Sequence, residues 1–474
     1  MTITENSNRS TLDIPVASTQ AKKDAGMNMF YLTWPILIEN LLRIAISSVD
    51  VFMLSAYSEK AVAAVGLINQ FVFFLQLLYL MVASGANILI SQNLGAGKQR
   101  YAGVVGLGSI SLSLVFAAIL SLVMCFSADA VLKLYDLDSE VHTYSWQFLT
   151  IYSSCSAFVA LSMILSTILR THGYSREPMY ITILALVANV TGNYIAIFGP
   201  FGLPVTGVPG VACSTVFSQI IACVILVLRI RKHKDIEHPL KQITKVPLAV
   251  YRKILSVGVP TAGENLSYNL GQIVIMRMVA YIGTEAMAAM VYALTLLRFV
   301  FITSISIGQG TQIKVGYLVG AGRSDDAQRK VYRYFSLGFI ISLTLVIIVN
   351  IAKVPAMNLL TRNPAIHQLI SILLLVGLVH EPGRNFNVII IPALKGAGDI
   401  RFPVYMGMIF MWGIGVLFAY ILGISLHWGL LGIGIALASD EWIRGLVIFL
   451  RWHRGGWRNK KLVDNSSPVL TADV

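Results

Sequence analysis

Residues 34–50 read WPILIENLLRIAISSVD, an apolar run that nevertheless carries Glu39, Arg43 and Asp50. Such a run has the character of a membrane-spanning helix, where a charge at mid-bilayer costs about 2.5–3.5 kcal/mol on insertion scales, so these groups face a bundle interior and often carry function. At about 100° per residue the three fall on nearly one helical face. Glu39 and Arg43, four residues apart, can neutralise each other as a structural ion pair. Asp50 lies more than two turns further on and needs a partner from another helix, a cation or a proton. Asn189 and Asn193, one turn apart in a later apolar stretch, and Thr215 in the next one offer amide and hydroxyl oxygens. Such oxygens around one carboxylate suit a small hard cation such as Na⁺. A carboxyl group kept from water can also carry a proton. The bland alternative for the asparagines is that they bond helices together.

The second half of the chain offers a more mixed set. Glu264 stands where Glu39 stood, while Ile275 occupies the position that corresponds to Asp50. Arg298, His380, Glu381, Arg384, Asp440, Glu441 and Arg444 also fall within apolar stretches. Glu381 with Arg384, and Glu441 with Arg444, have the i, i+3 spacing of self-neutralising pairs. Arg298 has no acidic neighbour at helical spacing, so it is a candidate for touching an anionic solute group or for closing a pair between lobes.

Composition supplies the frame for these residues. The chain has 474 residues, of which 56% are hydrophobic and 12% charged, with a mean hydropathy of +0.72. Those values exclude an ordinary soluble domain. At roughly 20 apolar residues per crossing, the hydropathic runs divide into about twelve spans. The net charge of +13 follows the positive-inside rule rather than signalling a nucleic-acid partner. With the N-terminus cytoplasmic, the opposite side receives only Lys60, Lys133, Lys353 and Arg362, together with the acidic Asp129, Asp136, Asp138 and Glu140. Both termini are therefore expected to be cytoplasmic, in a cell membrane. The first residues are polar and lack an apolar signal core. Cys125, Cys155, Cys213 and Cys223 are scattered, with neither disulfide nor zinc spacing. No HExxH, GxSxG or paired histidine ligands mark a membrane enzyme.

An internal repeat organises the chain. PILIENL (35–41) recurs as PTAGENL (260–266), AVAAVGL (61–67) as AMAAMVY (286–292), and LGAGK (94–98) as VGAGR (319–323), all at an offset of 225 residues. LRTHGYSREP (169–178) and LKGAGDIRFP (394–403) keep the offset and align Arg170 with Lys395. The expected fold is all-α: twelve transmembrane helices in two pseudo-symmetric six-helix lobes. The divisions are a disordered N-tail (1–26), an N-lobe (27–230), a basic linker (231–251), a C-lobe (252–453) and a C-tail (454–474). Because each copy has an even number of spans, both insert the same way round, a transporter plan with the substrate path between the halves. The glycine turns at 95–97 and 320–322 lack GxxxxGK[ST] and read as helix caps, which leaves ion-coupled secondary transport as the driver.

With Pro35 fifteen residues before Asp50 in SSVDVFMLS, AVAAVGL opening the second span, QNLGAGK closing it and GVPGVACST opening the sixth, the chain resembles the multidrug and toxic compound extrusion (MATE) family over about residues 27–455. The resemblance implies two six-helix lobes arranged as a V that form a secondary antiporter exporting small organic molecules in exchange for Na⁺ or H⁺, with no cofactor besides that ion. Asp50 matches the family's first-helix aspartate, Asn189 an asparagine of the same site, and Pro35 the place where that helix bends in some members. Asn193 stands where many members hold an acid. Tyr268 and Arg384 occupy positions where one branch places cation-binding acids, with Glu264 one turn before Tyr268. Glu39, Arg43, Glu264, Tyr268, Arg298, Glu381, Arg384 and Asp440 are the candidates for the solute cavity. A monomer embedded in lipid is expected. A flippase for lipid-linked saccharides and a non-transporting receptor scaffold are the competing readings.

Overall fold

The computed structural model describes residues 28–135, 137–237 and 246–463; the N-tail, Asp136, the middle of the linker and the end of the C-tail lie outside the described residues. The described chain is helical with no strand. Its first half comprises α1 (Met29–Ser55), α2 (Glu59–Gly95), α3 (Gln99–Leu132), α4 (Ser139–Ser154), α5 (Ser156–Thr171), α6 (Arg176–Phe198) and α7 (Gly207–Lys232). Its second half comprises α8 (Leu248–Ile282), α9 (Thr284–Gly320), α10 (Ser324–Ile351), α11 (Lys353–Leu360), α12 (Pro364–Asn385), α13 (Ile391–Ala397), α14 (Arg401–Phe410) and α15 (Gly429–His453). A π-helical turn at Phe386–Ile390 joins α12 to α13, and two more, Met411–Val416 and Ala419–Ser425, prolong α14.

Among the described residues eight helical segments are long and apolar enough to cross a membrane, or nine when α4 and α5, which meet at 49°, count as one broken span. The break at Cys155 is satisfied from outside. Ser121 of α3 donates to the Ser153 carbonyl (2.6 Å), and Tyr79 of α2 donates to the Ser156 hydroxyl (2.8 Å). The helices α1, α8 and α15 contain 27, 35 and 25 residues, ample for a hydrocarbon core of about 30 Å. Their charged residues lower the hydropathy, so composition alone does not count them among the spans.

The two lobes meet about a pseudo-two-fold axis that is visible in individual contacts. A Cβ added to Gly95 of α2 would strike the carbonyl of Tyr317 on α9, and one added to Gly320 would strike the carbonyl of Gln92. Each residue of the first contact lies 225 positions from its counterpart in the second. Near the axis the equivalent residues Asn87 and Gln312 hydrogen-bond each other (3.4 Å). The closeness is confined to one end. Ser91 and Gln92 on α2 and Leu318 on α9 are fully buried, whereas Phe73 and Phe299, further along the same helices, are 54% and 65% exposed. The lobes therefore separate as a V away from the end where Lys98 and Arg323 lie, here termed the basic face.

At that face Gly97 and Gly322 both have φ of 74°, a left-handed conformation that glycine adopts without penalty. Lys98 N–H returns to the Asn93 carbonyl (2.9 Å) and Arg323 N–H to that of Leu318 (2.8 Å). These are helix C-caps, which accounts for the glycines without a phosphate. A strap follows α15 across the same face. Trp457, fully buried, stacks on Trp452 with ring centroids 4.2 Å apart, and Arg458 binds Asp325 (2.7 Å). The Leu462 N–H then donates to Gln92 Oε1 on the opposite lobe (2.9 Å). At the other face Lys60 pairs with Asp138 (2.9 Å) and Glu140 (2.7 Å), and Lys133 with Asp129 (2.6 Å). The Lys60 ammonium holds the Asp138 carboxyl below the usual carboxylate range.

Candidate ion and solute sites

Asp50 projects from α1 toward α6 and α7 and is only 7% exposed, while Asn189 and Asn193 are fully buried. Asn193, on the turn of α6 next to Asn189, donates from Nδ2 to Asp50 Oδ1 (2.5 Å) and lies 3.4 Å from Asn189 Oδ1. Asn189 Nδ2 in turn donates to Thr215 Oγ1 (3.2 Å), whose own hydrogen goes to the Val211 carbonyl (3.0 Å). All four residues expected to form an ion site therefore make one chain of hydrogen bonds. Its acceptors are not exhausted, because the buried Asn193 Oδ1 has no hydrogen-bond partner. A carboxylate beside an unfilled amide oxygen suits a monovalent cation or a proton, and a buried acceptor left without either is costly. Among the described residues no group of three or more His, Cys, Asp or Glu side chains could hold a metal ion.

A separate cavity of about 520 Å³ lies between the lobes. Ile36, Phe73 and Arg170 face it from the first lobe; Glu264, Tyr268, Phe301, Arg384, Lys395, Glu441 and Arg444 face it from the second. The repeat reappears here as chemistry. Glu39 of α1 forms ion pairs with Arg43 on its own helix (2.9 Å) and with Arg170 of α5, while Glu264 of α8 pairs with Lys395 of α13 (2.6 Å). Each lobe thus ties its first helix to the equivalent later helix through the same acid–base pair.

The second lobe adds a network without counterpart in the first. Glu381 binds Arg384 (2.8 Å), whose Nε lies 3.6 Å from Glu441. Arg444 binds both Glu441 (3.0 Å) and Asp440 (2.9 Å), and Asn387 donates to Glu441 (2.6 Å). The Arg384 guanidinium lies over the Phe301 ring (4.8 Å) and that of Arg444 near the Tyr268 ring (5.8 Å). The two i, i+3 pairs read from sequence both form, but joined into one cluster at the cavity wall.

The structure sorts the remaining candidates. Glu264, Tyr268 and Arg384 line the cavity; Glu39, Glu381 and Asp440 stand behind the lining as buried counterions; Arg43, its side chain 41% exposed, lies outside it. Arg298 is a correction. It sits on an exposed face of α9 and does not line the cavity. With no acid at helical spacing, burial would leave its guanidinium unpaired, which folding avoids. Pro35 lies within α1, which continues as a single helix. Sequence reasoning passed over Arg170 and Lys395 as wall residues, although their alignment at the repeat offset was a signal.

The MatE family model matches residues 35–195 and 260–421, two stretches that begin 225 residues apart. The chain belongs to the MATE family. It is 37% identical over 447 residues to the "Uncharacterized transporter YisQ" of Bacillus subtilis (strain 168), covering 94% of this chain and 98% of that protein. It is 25% identical to the "Probable multidrug resistance protein NorM" of Thermotoga maritima, covering 91% and 93%. A solved structure of MATE in the bent conformation superposes with a TM-score of 0.85 at 18% identity, covering 92% of this chain and 96% of that one. A Pyrococcus furiosus transporter of the MOP superfamily, described by the reverse polarity of its binding pocket, gives 0.81 at 18% identity, covering 90% and 94%. The protein is thus a multi-pass MATE transporter.

Proposed function

We propose that this MATE transporter is a monomeric secondary antiporter that exports small organic solutes through the interlobe cavity in exchange for Na⁺ or H⁺ bound at Asp50. It acts without chemical catalysis and without a cofactor besides the ion. The observation that carries the reading is the separation of two built sites joined by one helix. The Asp50 cluster, with the unfilled Asn193 Oδ1, lies outside the cavity lining, yet α1 carries both Asp50 and the Glu39 that holds Arg170 at the cavity wall.

The distribution of lysines and arginines supports a cytoplasmic basic face and cytoplasmic termini in the cell membrane. The lobes then close toward the cytoplasm and open outward. In this state an ion entering from outside replaces the Asp50–Asn193 hydrogen bond with its own ligation and shifts α1 against α6. The shift reaches Glu39 and Arg170 and loosens the solute, which leaves outward; ion release inside accompanies the return. The lobe divisions at 27–230 and 252–453 serve as the rocking bodies, and Pro35, which donates no backbone hydrogen bond, serves as the hinge in α1.

The test is solute uptake into inside-out vesicles with Na⁺ and pH gradients imposed separately. Accumulation that follows either gradient and collapses with the matching ionophore supports antiport. Equal solute levels with and without both gradients would remove the coupling and favour the receptor-scaffold reading.

A further inference from the structure

Resting on the reading of the chain as a solute transporter, we propose that the interlobe cavity selects organic anions: solutes with an apolar body and a carboxylate, sulfonate or phosphate group. Four cationic side chains line the cavity, Arg170, Arg384, Lys395 and Arg444, against the two carboxylates Glu264 and Glu441. The other acids of the cluster are placed behind the wall. Glu39, Glu381 and Asp440 have side chains only 1%, 1% and 2% exposed and hold Arg170, Arg384 and Arg444 respectively from the buried side, Glu39 being shared with Arg43.

That arrangement fixes the guanidinium groups at the wall. An oxyanion accepts from such fork-shaped donors in a charge-assisted bond. An organic cation would face the larger number of like charges on the wall. Two of the three aromatic rings on the wall, whose faces would attract a cation, are already in use, Phe301 by Arg384 and Tyr268 by Arg444. Phe73 and Ile36 remain to take the apolar body.

Binding is measured first, by fluorescence anisotropy on the purified full-length protein, with carboxyfluorescein as the anion and ethidium as the cation. The expected result is that the anion binds about tenfold or more tightly than the cation. Ethidium binding as tightly as carboxyfluorescein, or more tightly, overturns the proposal. Glu264→Gln removes one of the two lining carboxylates and frees Lys395, so anion affinity should rise by about threefold. The double variant Glu381→Gln/Arg384→Gln removes a buried pair together, leaving no lone charge from it; anion affinity should fall about tenfold while ethidium affinity does not fall. Unchanged anion affinity in both variants also overturns the proposal, because a purely structural role predicts no opposite shifts. Vesicle uptake then separates the two readings. Anion bound but not driven by either gradient leaves the selectivity standing and refutes antiport, whereas gradient-driven ethidium with no anion binding refutes the selectivity and leaves antiport standing.

Discussion

At the scale of single residues, the fate of each charge depends on whether a partner stands at helical spacing or across the bundle. Glu39 with Arg43 at i, i+4, and Glu381 with Arg384 and Glu441 with Arg444 at i, i+3, are pairs within one helix, so these were legible from number alone. Arg170, which shares Glu39 across 131 positions, was legible only through its alignment with Lys395. Removing one partner from such a buried group leaves uncompensated charge. Glu39→Gln should therefore destabilise the protein by about 3–5 kcal/mol, read as a lowered unfolding temperature in detergent. Lys60→Met, at a solvent-exposed pair, should leave that temperature unchanged within error. Equal losses in the two variants would contradict the distinction drawn between a buried shared carboxylate and a surface pair.

At the scale of elements, hydropathy located the apolar runs but not their breaks. The 49° bend between α4 and α5 follows from hydrogen bonds made by Ser121 and Tyr79 on other helices, and no local motif announces it. The π-helical turn after α12 ends two residues before Pro392, whose missing N–H and ring disturb the bond to the carbonyl four residues earlier. The strap after α15 reads in the sequence only as part of a tail, because Trp457 has no meaning there without Trp452 of α15, on which it stacks. It bridges both lobes at the closed face, so loosening it should ease opening on that side. Trp457→Ala should cost about 3–5 kcal/mol of stability. It should also raise the reactivity of Asn87→Cys, in a background lacking the native cysteines, toward a thiol reagent applied at the basic face. An unaltered labelling rate would show that the strap does not restrain the lobes. Gly320→Leu places a side chain against the Gln92 carbonyl and should raise the same labelling rate by wedging the crossing of α2 and α9 apart.

For the whole molecule, the duplication was the most informative feature of the sequence, and it survives in the fold as reciprocal contacts about one axis. Its failures are equally informative. The acid–base pair Glu264–Lys395 repeats Glu39–Arg170, but the Asp50 position of the first lobe is Ile275 in the second, which is fully buried in an apolar cluster. The clustered Glu381, Arg384, Asp440, Glu441 and Arg444 network belongs to the second lobe alone. Symmetry therefore supplies the frame on which the lobes rock, and its two departures supply an ion site in one lobe and a charged solute wall in the other. The measurement that tests this division most directly compares wild type with Asp50→Asn for two quantities in the same vesicles, equilibrium solute binding and gradient-driven solute accumulation. Asp50→Asn is expected to bind solute with unchanged affinity and to lose accumulation under both Na⁺ and pH gradients. Accumulation at the wild-type rate in Asp50→Asn would contradict the assignment of the ion site to Asp50.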